Sequence, residues 1–424
     1  MKKNVLVFPC GSEIGLDVYH SVKYDTHFHL IGASSVEDHG SFVYEDYIPD
    51  VPMVSDPLFI NAIQSIVSER EIDAIYPTMD SVISVLKSHE SSIGCKVIAS
   101  PEETTRICLS KRRTYDKLYK DIRTPNEYQI DDPLEFPVFV KPDIGYGSRG
   151  TAIVYDHDSL YNTLTRQTDL LILEYLPGDE YTVDCFTNRH GVLLYSAARQ
   201  RNRIRGGISV NTSFVENQEE FKRIAQIINS KLSFRGAWFF QIKKDKNGEL
   251  CLLELASRIG GSSLLSNSIG INLALMTLYD AFDIDVYPLA NREYTVILDR
   301  ALSSQYRCKG IKFDTVYVDY DDCLILNGTD VNIDLVRFLF KCVNDNKELV
   351  LLTKHDGIVE DDLRRFRLEN LFDRIIHLER GKNKADFVDK KEAIFIDDSF
   401  AERRNIKEEK GIPVFSPDMI DVLL

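Results

Sequence analysis

The chain has 424 residues, of which 44% are hydrophobic and 28% are charged, and its formal net charge at pH 7 is −15. A chain of this length exceeds one ordinary hydrophobic core, so we expect two to four globular domains. The acidic balance argues against nonspecific binding to nucleic acid or to an anionic membrane, and solubility is its simpler explanation.

Cysteine usage and the apolar runs indicate the compartment. The eight cysteines are scattered, without a C-x-x-C motif or a Cys/His cluster, so neither a zinc site nor a disulfide framework is expected. Residues 1–10 predict a first strand and not a signal peptide. No apolar run approaches the roughly 18 residues that a membrane span needs. We therefore expect a cytoplasmic protein with neither nucleic acid nor membrane as a partner.

The first hundred residues alternate between strand and helix patterns. Strands are predicted at residues 4–8, 27–32 and 74–77, with a helix at 61–70. Such alternation indicates a parallel sheet. The glycine-containing loop at 11–15 lacks the full dinucleotide pattern, so a small-molecule site or a purely structural edge is favoured over a nicotinamide site.

The segment VFVKPDIGYGSRG at 138–150 is central to the chain. It predicts a strand that ends at Lys141 and is followed by Gly145, Gly147 and Gly150. Glycine lets backbone N–H groups approach phosphate oxygens, and a lysine adds a fixed positive charge. The segment therefore indicates a polyphosphate site, although a plain β-hairpin would explain it equally well in isolation.

Four arginines then recur at every second position. Period-two spacing would place Arg199, Arg201, Arg203 and Arg205 on one side of an extended segment. A row of guanidinium groups recognises carboxylate or phosphate. The alternative is a solvated edge strand protected by charge.

Strands predicted at 236–243 and 250–255 carry Gln241 and Glu254, with a turn at 245–248 between them. Residues at this spacing in adjacent antiparallel strands can point to the same face. An inward Gln and Glu are costly to bury unless they bind a cation or a phosphate.

Together these motifs resemble the ATP-grasp superfamily, near the large subunit of carbamoyl-phosphate synthetase and biotin carboxylase, over residues 1 to about 300. The resemblance implies an α/β architecture with an N-terminal Rossmann-like pre-ATP-grasp domain at 1–105 and an α+β ATP-grasp domain at 106–305. It implies ATP and Mg²⁺, or Mn²⁺, as cofactors. ATP would convert a small-molecule carboxylate into an acyl phosphate, and an amine (or a thiol) would then displace phosphate.

The resemblance also implies a role for individual residues. For ATP it implies phosphate binding by Lys111 and Lys141, a covering loop with Gly145, Gly147 and Ser148, adenine recognition by Glu174, Tyr175 and Leu176, and ribose binding by Glu180. For the reaction it implies magnesium ligands Gln241 and Glu254, a γ-phosphate contact from Arg258, and substrate binding by Arg199, Arg201 and Arg205. In one departure, Ala256 stands where the family has an asparagine that binds the second metal.

The strand pattern restarts near residue 311. Strands predicted at 315–318, 348–352 and 393–396 end in polar residues, including DYDDC at 319–323 and DDS at 397–399. Carboxylates at the C-terminal ends of successive parallel strands mark the usual site of an open α/β sheet.

This segment, 311–424, resembles the haloacid dehalogenase-like phosphatases, with all four signature elements in order. The resemblance implies a capless α/β domain with a parallel sheet, since the spacings leave no room for a cap. Cys323 stands where threonine is usual. The implied roles are nucleophile for Asp319, general acid/base for Asp321, phosphoryl binding for Thr353 and Lys384 (or Lys382), and metal binding for Asp319, Asp321, Asp397 and Asp398.

The leading hypothesis is therefore a bifunctional enzyme, an ATP-dependent carboxylate–amine ligase coupled to a magnesium-dependent phosphatase that acts on a phosphate ester. A small-molecule kinase of ATP-grasp type is one alternative. A non-catalytic nucleotide-binding scaffold with a degenerate phosphatase domain is another, which Ala256 favours. Many relatives are homodimers, and the oligomeric state stays open.

Overall fold

The computed structural model describes residues 2–145, 147, 149–167, 169–291 and 293–424. The chain forms two compact units, Met1–Leu302 and Ser303–Leu424. Among the described residues, no helix combines the length and the apolar character that crossing a bilayer requires. The finer domain limits expected at 105, 305 and 311 stay predictions.

The first unit begins with a five-stranded parallel sheet in the order β3-β2-β1-β4-β5. Its strands are β1 Lys3–Phe8, β2 Phe28–Ala33, β3 Asp46–Ile48, β4 Ala74–Pro77 and β5 Lys96–Val97. Its helices are α1 Glu13–Val22, α2 Gly40–Val43, α3 Phe59–Glu69, α4 Asp80–Ser88 and α5 Glu90–Ile93. The parallel sheet and its three predicted strands are confirmed, because near-continuous apolar runs such as VLVF in β1 form strands that are buried on both faces.

A four-stranded antiparallel sheet follows, in the order β6-β9-β7-β8. This part comprises α6 Glu102–Leu109, α7 Lys111–Leu118, β6 Glu127–Tyr128, β7 Val138–Pro142, β8 Ala152–Val154, α8 His157–Arg166 and β9 Leu170–Glu174. The central strand β7 brings Lys141 to its end, directly before the glycine-containing loop. Helix α7 begins at Lys111, where the Ser110 side chain caps it by accepting from the backbone N–H of Arg113.

The last part of the first unit is a six-stranded sheet in the order β14-β13-β10-β11-β12-β15, with antiparallel neighbours throughout. Its elements are β10 Glu180–Thr187, β11 Leu193–Arg205, β12 Ile208–Phe214, α9 Glu219–Lys231, β13 Gly236–Lys244, β14 Leu250–Ala256, α10 Leu264–Asn267, α11 Leu273–Ala281 and β15 Ile297–Asp299. Trp238 anchors its core by stacking on Phe234 at 4.1 Å between ring centroids and donating to the Thr187 hydroxyl at 2.8 Å.

The second unit contains a five-stranded parallel sheet in the order β20-β19-β16-β21-β22. Its elements are β16 Thr315–Val318, β17 Ile325–Leu326, β18 Asp330–Val331, α12 Ile333–Asn344, β19 Glu348–Thr353, α13 Val359–Arg365, β20 Arg374–His377, β21 Ala393–Ile396, α14 Phe400–Lys410, β22 Val414–Phe415, and 3-10 helices at Lys384–Phe387 and Pro417–Val422. Because β16, β19 and β21 are parallel neighbours, the residues that end them meet at one edge of the sheet.

Candidate functional site

The first unit contains a cavity of about 150 Å³ in the segment predicted to bind nucleotide. Its lining includes Lys111, Lys141, Gly145, Gly147, Glu180, Arg201, Gln241 and Glu254. Residues separated by more than a hundred positions in the sequence thus converge on one cleft. The cleft combines amines, carboxylates and glycine backbone, the donor set that a metal-bound polyphosphate needs.

Two lysines supply positive charge to this cleft. The buried Lys111 Nζ donates to the backbone carbonyls of Asp143 at 3.1 Å and Gly145 at 3.3 Å. The buried Lys141 Nζ donates to the carbonyl of Leu253 at 2.9 Å. Burial lowers the pKa of Lys141 to about 8. Since the hydrogen-bond partners of both amines are neutral carbonyls, their charges remain available to an anionic ligand.

The loop after β7 reaches the same cavity through glycines. Gly147 and Gly150 have φ angles of 61° and 70°, a left-handed conformation that favours glycine. Gly145 and Gly147 both line the cavity. Ser148, predicted to belong to this loop, lies outside the described residues.

Gln241 and Glu254 form the predicted metal-binding pair. They are direct register partners across β13 and β14, and both line the cavity. Amide and carboxylate oxygens suit Mg²⁺, so the residues present fit this ion. Ala256 lies two positions beyond Glu254 on the same strand and is buried opposite Phe239.

The expectation of four arginines on one face is wrong. Arg199 is buried and Arg201 nearly so, whereas Arg203 and Arg205 are exposed. The β11–β12 register shifts between Arg201 and Arg203 and again between Arg203 and Ile204. Such irregularities interrupt the alternation of side chains, so period-two spacing no longer places residues on one face. The two shifts offset each other, so Arg203 leaves the alternation, whereas Arg205, opposite Ile208, returns to that of Arg201, opposite Thr212. Arg205 differs from the other two predicted substrate-binding arginines in being exposed.

The two buried arginines differ in their partners. Arg199 binds Asp184 through Nε at 2.7 Å and the carbonyl of Gly261 through Nη2 at 2.6 Å. Its Nη1 is buried without a hydrogen-bond partner among the described residues. Arg201 pairs with Glu180 at 2.7 Å, so the carboxylate predicted to bind the ribose contacts a guanidinium.

The predicted adenine-binding segment ends β9 and begins the connection to β10. Arg123 binds the Glu174 carboxylate at 2.7 Å, and the backbone N–H of Asn126 donates to it at 3.3 Å. Leu176 is buried, and Tyr175 is half-buried. Sequence reasoning did not identify Arg123, although a cation is the usual partner for a partly buried glutamate.

Arg258, predicted to face the γ-phosphate, is engaged by Asp80. Its Nε and Nη2 lie 3.0 and 2.7 Å from one Asp80 oxygen, and its guanidinium lies 5.3 Å from the Phe239 ring centroid. Sequence reasoning missed Asp80. Its position shortly after the β4 strand was the available signal, because polar residues that follow parallel strands often face a ligand crevice.

In the second unit, three carboxylates converge at the sheet edge. Asp319, Asp397 and Asp398 each offer an oxygen within 4.8 Å of the others. Lys384 Nζ lies 2.7 Å from Asp319 and 2.7 Å from Asp397. Burial, with the neighbouring charge of Asp319, raises the pKa of Asp397 to about 7. Clustered carboxylate oxygens fit a hard divalent cation such as Mg²⁺.

The remaining phosphoryl-binding candidates lie beside this group. Lys384 is buried, whereas Lys382 is exposed, so the structure favours Lys384 between the two predicted lysines. Thr353 is fully buried at the end of β19, and its hydroxyl interacts with the Asp319 carboxylate. This contact favours the ionised carboxylate but is outweighed by burial, which raises the pKa of Asp319.

Asp321 does not lie with the other carboxylates that were predicted to bind metal. Its carboxylate is absent from the converging group formed by the described residues, is 52% exposed, and pairs instead with His355 Nδ1 at 2.8 Å. His355 Nε2 lies 2.9 Å from Asp362. Burial opposes protonation of His355, but its hydrogen bonds to the two carboxylates outweigh that effect and raise its pKa. Sequence reasoning missed His355, although it follows Thr353 by only two positions.

Parts of this chain are similar to known proteins. Residues 166–297 match the family described as "ATP-grasp in the biosynthetic pathway with Ter operon". A D-alanine–D-alanine ligase from Bacillus anthracis is 30% identical over 113 residues, covering 23% of this chain and 37% of the relative. A 3-methyl-D-ornithine–L-lysine ligase from Methanosarcina barkeri is 29% identical over 117 residues, covering 27% and 30%. The chain thus spans about a third of the length of these curated relatives.

Solved structures share the fold. N5-carboxyaminoimidazole synthetase from Staphylococcus aureus, complexed with ADP, superposes with a TM-score of 0.60 at 14% identity, covering 71% of this chain and 83% of that one. L-amino acid ligase from Bacillus licheniformis gives a TM-score of 0.55 at 17% identity, covering 69% and 76%. At these identities the likeness concerns the fold alone. The phosphatase resemblance of the second unit stays a prediction.

Proposed function

We propose that the first unit is an ATP-dependent carboxylate–amine ligase that works through an acyl phosphate. The observation that carries this proposal is the convergence of Lys111, Lys141, Gln241 and Glu254 on one cavity, in a unit with an ATP-grasp-like fold. The four residues match, in type and order, those that the ATP-grasp resemblance assigns to phosphate and magnesium.

The cleft residues divide the work of binding ATP. Lys111 and Lys141 neutralise phosphate charge, and the glycine-containing loop contributes backbone N–H groups. Gln241 and Glu254 would hold a magnesium ion, which supplies charge neutralisation when bound. Positioning and electrostatics then account for most of the rate enhancement, since phosphoryl transfer needs little covalent help from the protein.

The proposed reaction has two steps. A carboxylate oxygen of the acid bonds to the γ-phosphorus as the bond to ADP breaks, giving an acyl phosphate. The amine nitrogen then bonds to the acyl carbon, inorganic phosphate leaves, and the nitrogen loses a proton. Enclosure of the cleft protects the acyl phosphate from hydrolysis. A thiol in place of the amine would give a thioester by the same sequence.

Amino acids are the proposed class of acid. The buried Nη1 of Arg199, which has no hydrogen-bond partner within the described part of the chain, offers a donor to a substrate carboxylate. The names of the related ligases specify D-alanine, 3-methyl-D-ornithine, L-lysine and L-amino acids. Arg199 is the strongest candidate among the three predicted substrate-binding arginines, because its remaining nitrogens are already fixed by Asp184 and Gly261.

For the second unit we propose a capless, haloacid dehalogenase-like, magnesium-dependent phosphatase. An Asp319 oxygen bonds to phosphorus as the ester P–O bond breaks, and Asp321 gives its proton to the leaving oxygen. Water then attacks the aspartyl-phosphate, frees Asp319 and returns a proton to Asp321, releasing inorganic phosphate. Asp319, Asp397 and Asp398 would hold the magnesium ion, whose charge offsets that of the phosphoryl group.

The test of the ligase is ADP release by the purified chain with ATP, Mg²⁺ and a matrix of amino acids paired with amines. Ligase activity requires both partners. ADP release with the acid alone, yielding a stable phosphorylated product, would instead indicate a small-molecule kinase. ATP binding without turnover across the whole matrix would favour the non-catalytic scaffold, the alternative that Ala256 supports.

The coupling of the two units needs its own experiment. With Asp319→Asn, the ligase product should accumulate in phosphorylated form if the second unit acts on that product. An unchanged product from this variant would refute the coupling while leaving the ligase proposal intact.

A further inference from the structure

One histidine in the second unit lies between two carboxylates. His355 Nδ1 is 2.8 and 3.0 Å from the two oxygens of Asp321, and His355 Nε2 is 2.9 Å from Asp362. A ring with an acceptor at each nitrogen is fixed in both position and rotation. The imidazole therefore connects helix α13, which carries Asp362, to the segment that follows β16.

Neighbouring residues lie close around this ring. A Cβ at Gly357 would lie 2.5 Å from His355 Nε2 and 3.1 Å from the Asp362 oxygen, so a larger residue there would displace the imidazole from its present position. The Tyr320 ring lies 4.7 Å from the imidazole between centroids. The backbone carbonyl of His355 contacts His377 Nε2 at 2.6 Å. Tyr320 and Gly357 thus lie against the imidazole, and His377 contacts the backbone of the same residue.

Asp321, by contrast, has little else to fix it. Its carboxylate is 52% exposed, and within the described part of the chain its side-chain hydrogen bonds go to His355 alone. An exposed aspartate samples several rotamers unless a partner restrains it. A general acid must lie within hydrogen-bond reach of the leaving oxygen, so its rotamer decides whether it works.

We infer that His355, supported by Asp362, is a positioning residue that holds Asp321 in the orientation needed for proton transfer in the second unit. This inference rests on the proposed phosphatase function. His355 does not touch the phosphoryl group in this assignment; it acts through Asp321. Asp362 in turn sets the rotation of the imidazole.

Two substrates with different leaving groups distinguish this positioning role from a purely structural one. We would compare hydrolysis of β-glycerophosphate, whose alkoxide must be protonated, with that of p-nitrophenyl phosphate, whose phenolate needs no proton. With Asp362→Asn in the full chain, kcat/KM for β-glycerophosphate should fall by about tenfold, which is only part of the roughly 10²- to 10⁴-fold contribution of a general acid because Asp321 itself remains. The value for p-nitrophenyl phosphate should change less than about twofold, since it reports phosphoryl transfer without that proton.

Asp361→Asn is the matched control, because Asp361 is the neighbouring carboxylate on the same helix and pairs only with Arg364 among the described contacts. It should leave both esters unaffected. A second measurement uses His355→Asn with and without Asp321→Asn. The histidine substitution should matter little once Asp321 has lost its carboxylate, because coupled residues are non-additive.

Each result decides between the hypotheses. Equal losses on both esters, or additive losses in the double variant, would overturn the positioning role. A gain in β-glycerophosphate turnover would also overturn it, by showing that His355 restrains Asp321 in a resting position. If the wild-type chain hydrolyses neither ester, the proposed phosphatase function fails and the inference with it. If Asp319→Asn alone abolishes activity, the function stands without the inference.

Discussion

Gln241 and Glu254 are direct partners across the antiparallel strands β13 and β14, and both face the cavity that contains the two lysines. Thirteen positions separate them in the chain, but the turn between the strands brings them opposite each other. This pairing defines the candidate metal site of the first unit. It also fixes the place of Ala256, since a residue two positions beyond Glu254 lies on the same face of β14.

The first prediction concerns Ala256→Asn. An added amide oxygen beside Glu254 increases the number of metal ligands, and ligand number tunes divalent-cation affinity. We expect the Mg²⁺ concentration for half-maximal ADP release to fall by roughly tenfold. Ala256→Ser, which places a shorter polar side chain at the same position, is the control and should shift the Mg²⁺ titration curve little. An unchanged Mg²⁺ titration for the asparagine variant would show that no second ion binds at this position.

The second prediction concerns the pH dependence of ATP binding through Lys141. Burial lowers the pKa of this lysine to about 8, so the free protein loses the positive charge as pH rises through that value. ATP affinity should therefore weaken above about pH 8. Lys141→Arg keeps its charge and should flatten the profile, and Lys141→Met should cost about 10- to 100-fold at pH 7, the loss of one charge-assisted hydrogen bond.

Calorimetric titration with a non-hydrolysable ATP analogue from pH 6.5 to 9.5 measures this effect. Lys111→Arg, which also preserves a cation in the cleft, controls for the general effect of a bulkier side chain. A wild-type profile that stays flat to pH 9.5 would contradict the proposed role of Lys141 in phosphate binding.

The third prediction compares how substitutions of the β11 arginines change the stability of the protein. Arg199→Ala leaves the buried Asp184 carboxylate without its partner and should lower the free energy of unfolding by about 3–5 kcal/mol. Arg203→Ala removes an exposed ion pair with Asp299 and should change the free energy of unfolding by less than about 1 kcal/mol. Denaturant unfolding measures both. Arg199→Lys keeps the charge but loses the fork of donors, so KM for the acid substrate should rise while the protein stays folded.

The strands with the strongest apolar pattern could be predicted closely from sequence. The observed β4, β16 and β21 have the predicted limits, because short runs such as TVYV and AIFI are buried in parallel sheets. Strand β12, with the sequence ISVNTSF, was missed because its polar residues dilute the hydrophobic period. Irregular pairing in β11 was equally invisible, since a bulge has no required residue type there.

The candidate sites could be predicted only as far as the chemistry is local. Lys141, Glu254 and Asp319 could be predicted as candidates from motif order, because glycine-containing loops and acidic strand ends are visible in one stretch of chain. Sequence reasoning did not identify the pair of Arg258 with Asp80, which are 178 positions apart. Such partners depend on how elements pack, which a single sequence does not specify.

The fourth prediction concerns the buried lysine of the second unit. Lys384 bridges Asp319 and Asp397, both of which are buried. Lys384→Met leaves two carboxylates facing each other without a cation, so the unit should lose about 3–5 kcal/mol of stability in the absence of metal. Mg²⁺ should recover part of that loss by supplying the missing charge. Hydrogen exchange in Ala393–Ile396 of the full chain measures the stability of this unit, and Lys382→Met at the exposed neighbouring lysine is the control.

The Asp319–Asp397 pair also predicts that the stability of the metal-free second unit depends on pH. The pKa of Asp397 is raised from 3.8 to about 7. Below about pH 4 the carboxyl is protonated in both the folded and unfolded states, and its stabilising contribution is fully present. Between pH 4 and 7 the unfolded state releases a proton that the folded state retains, so stability falls as pH rises. In EDTA, the hydrogen-exchange protection of β21 should therefore decrease between pH 4 and pH 7. Asp397→Asn should remove most of this dependence of protection on pH. A wild-type slope of the opposite sign would show that Asp397 stays ionised in the fold, held by Lys384.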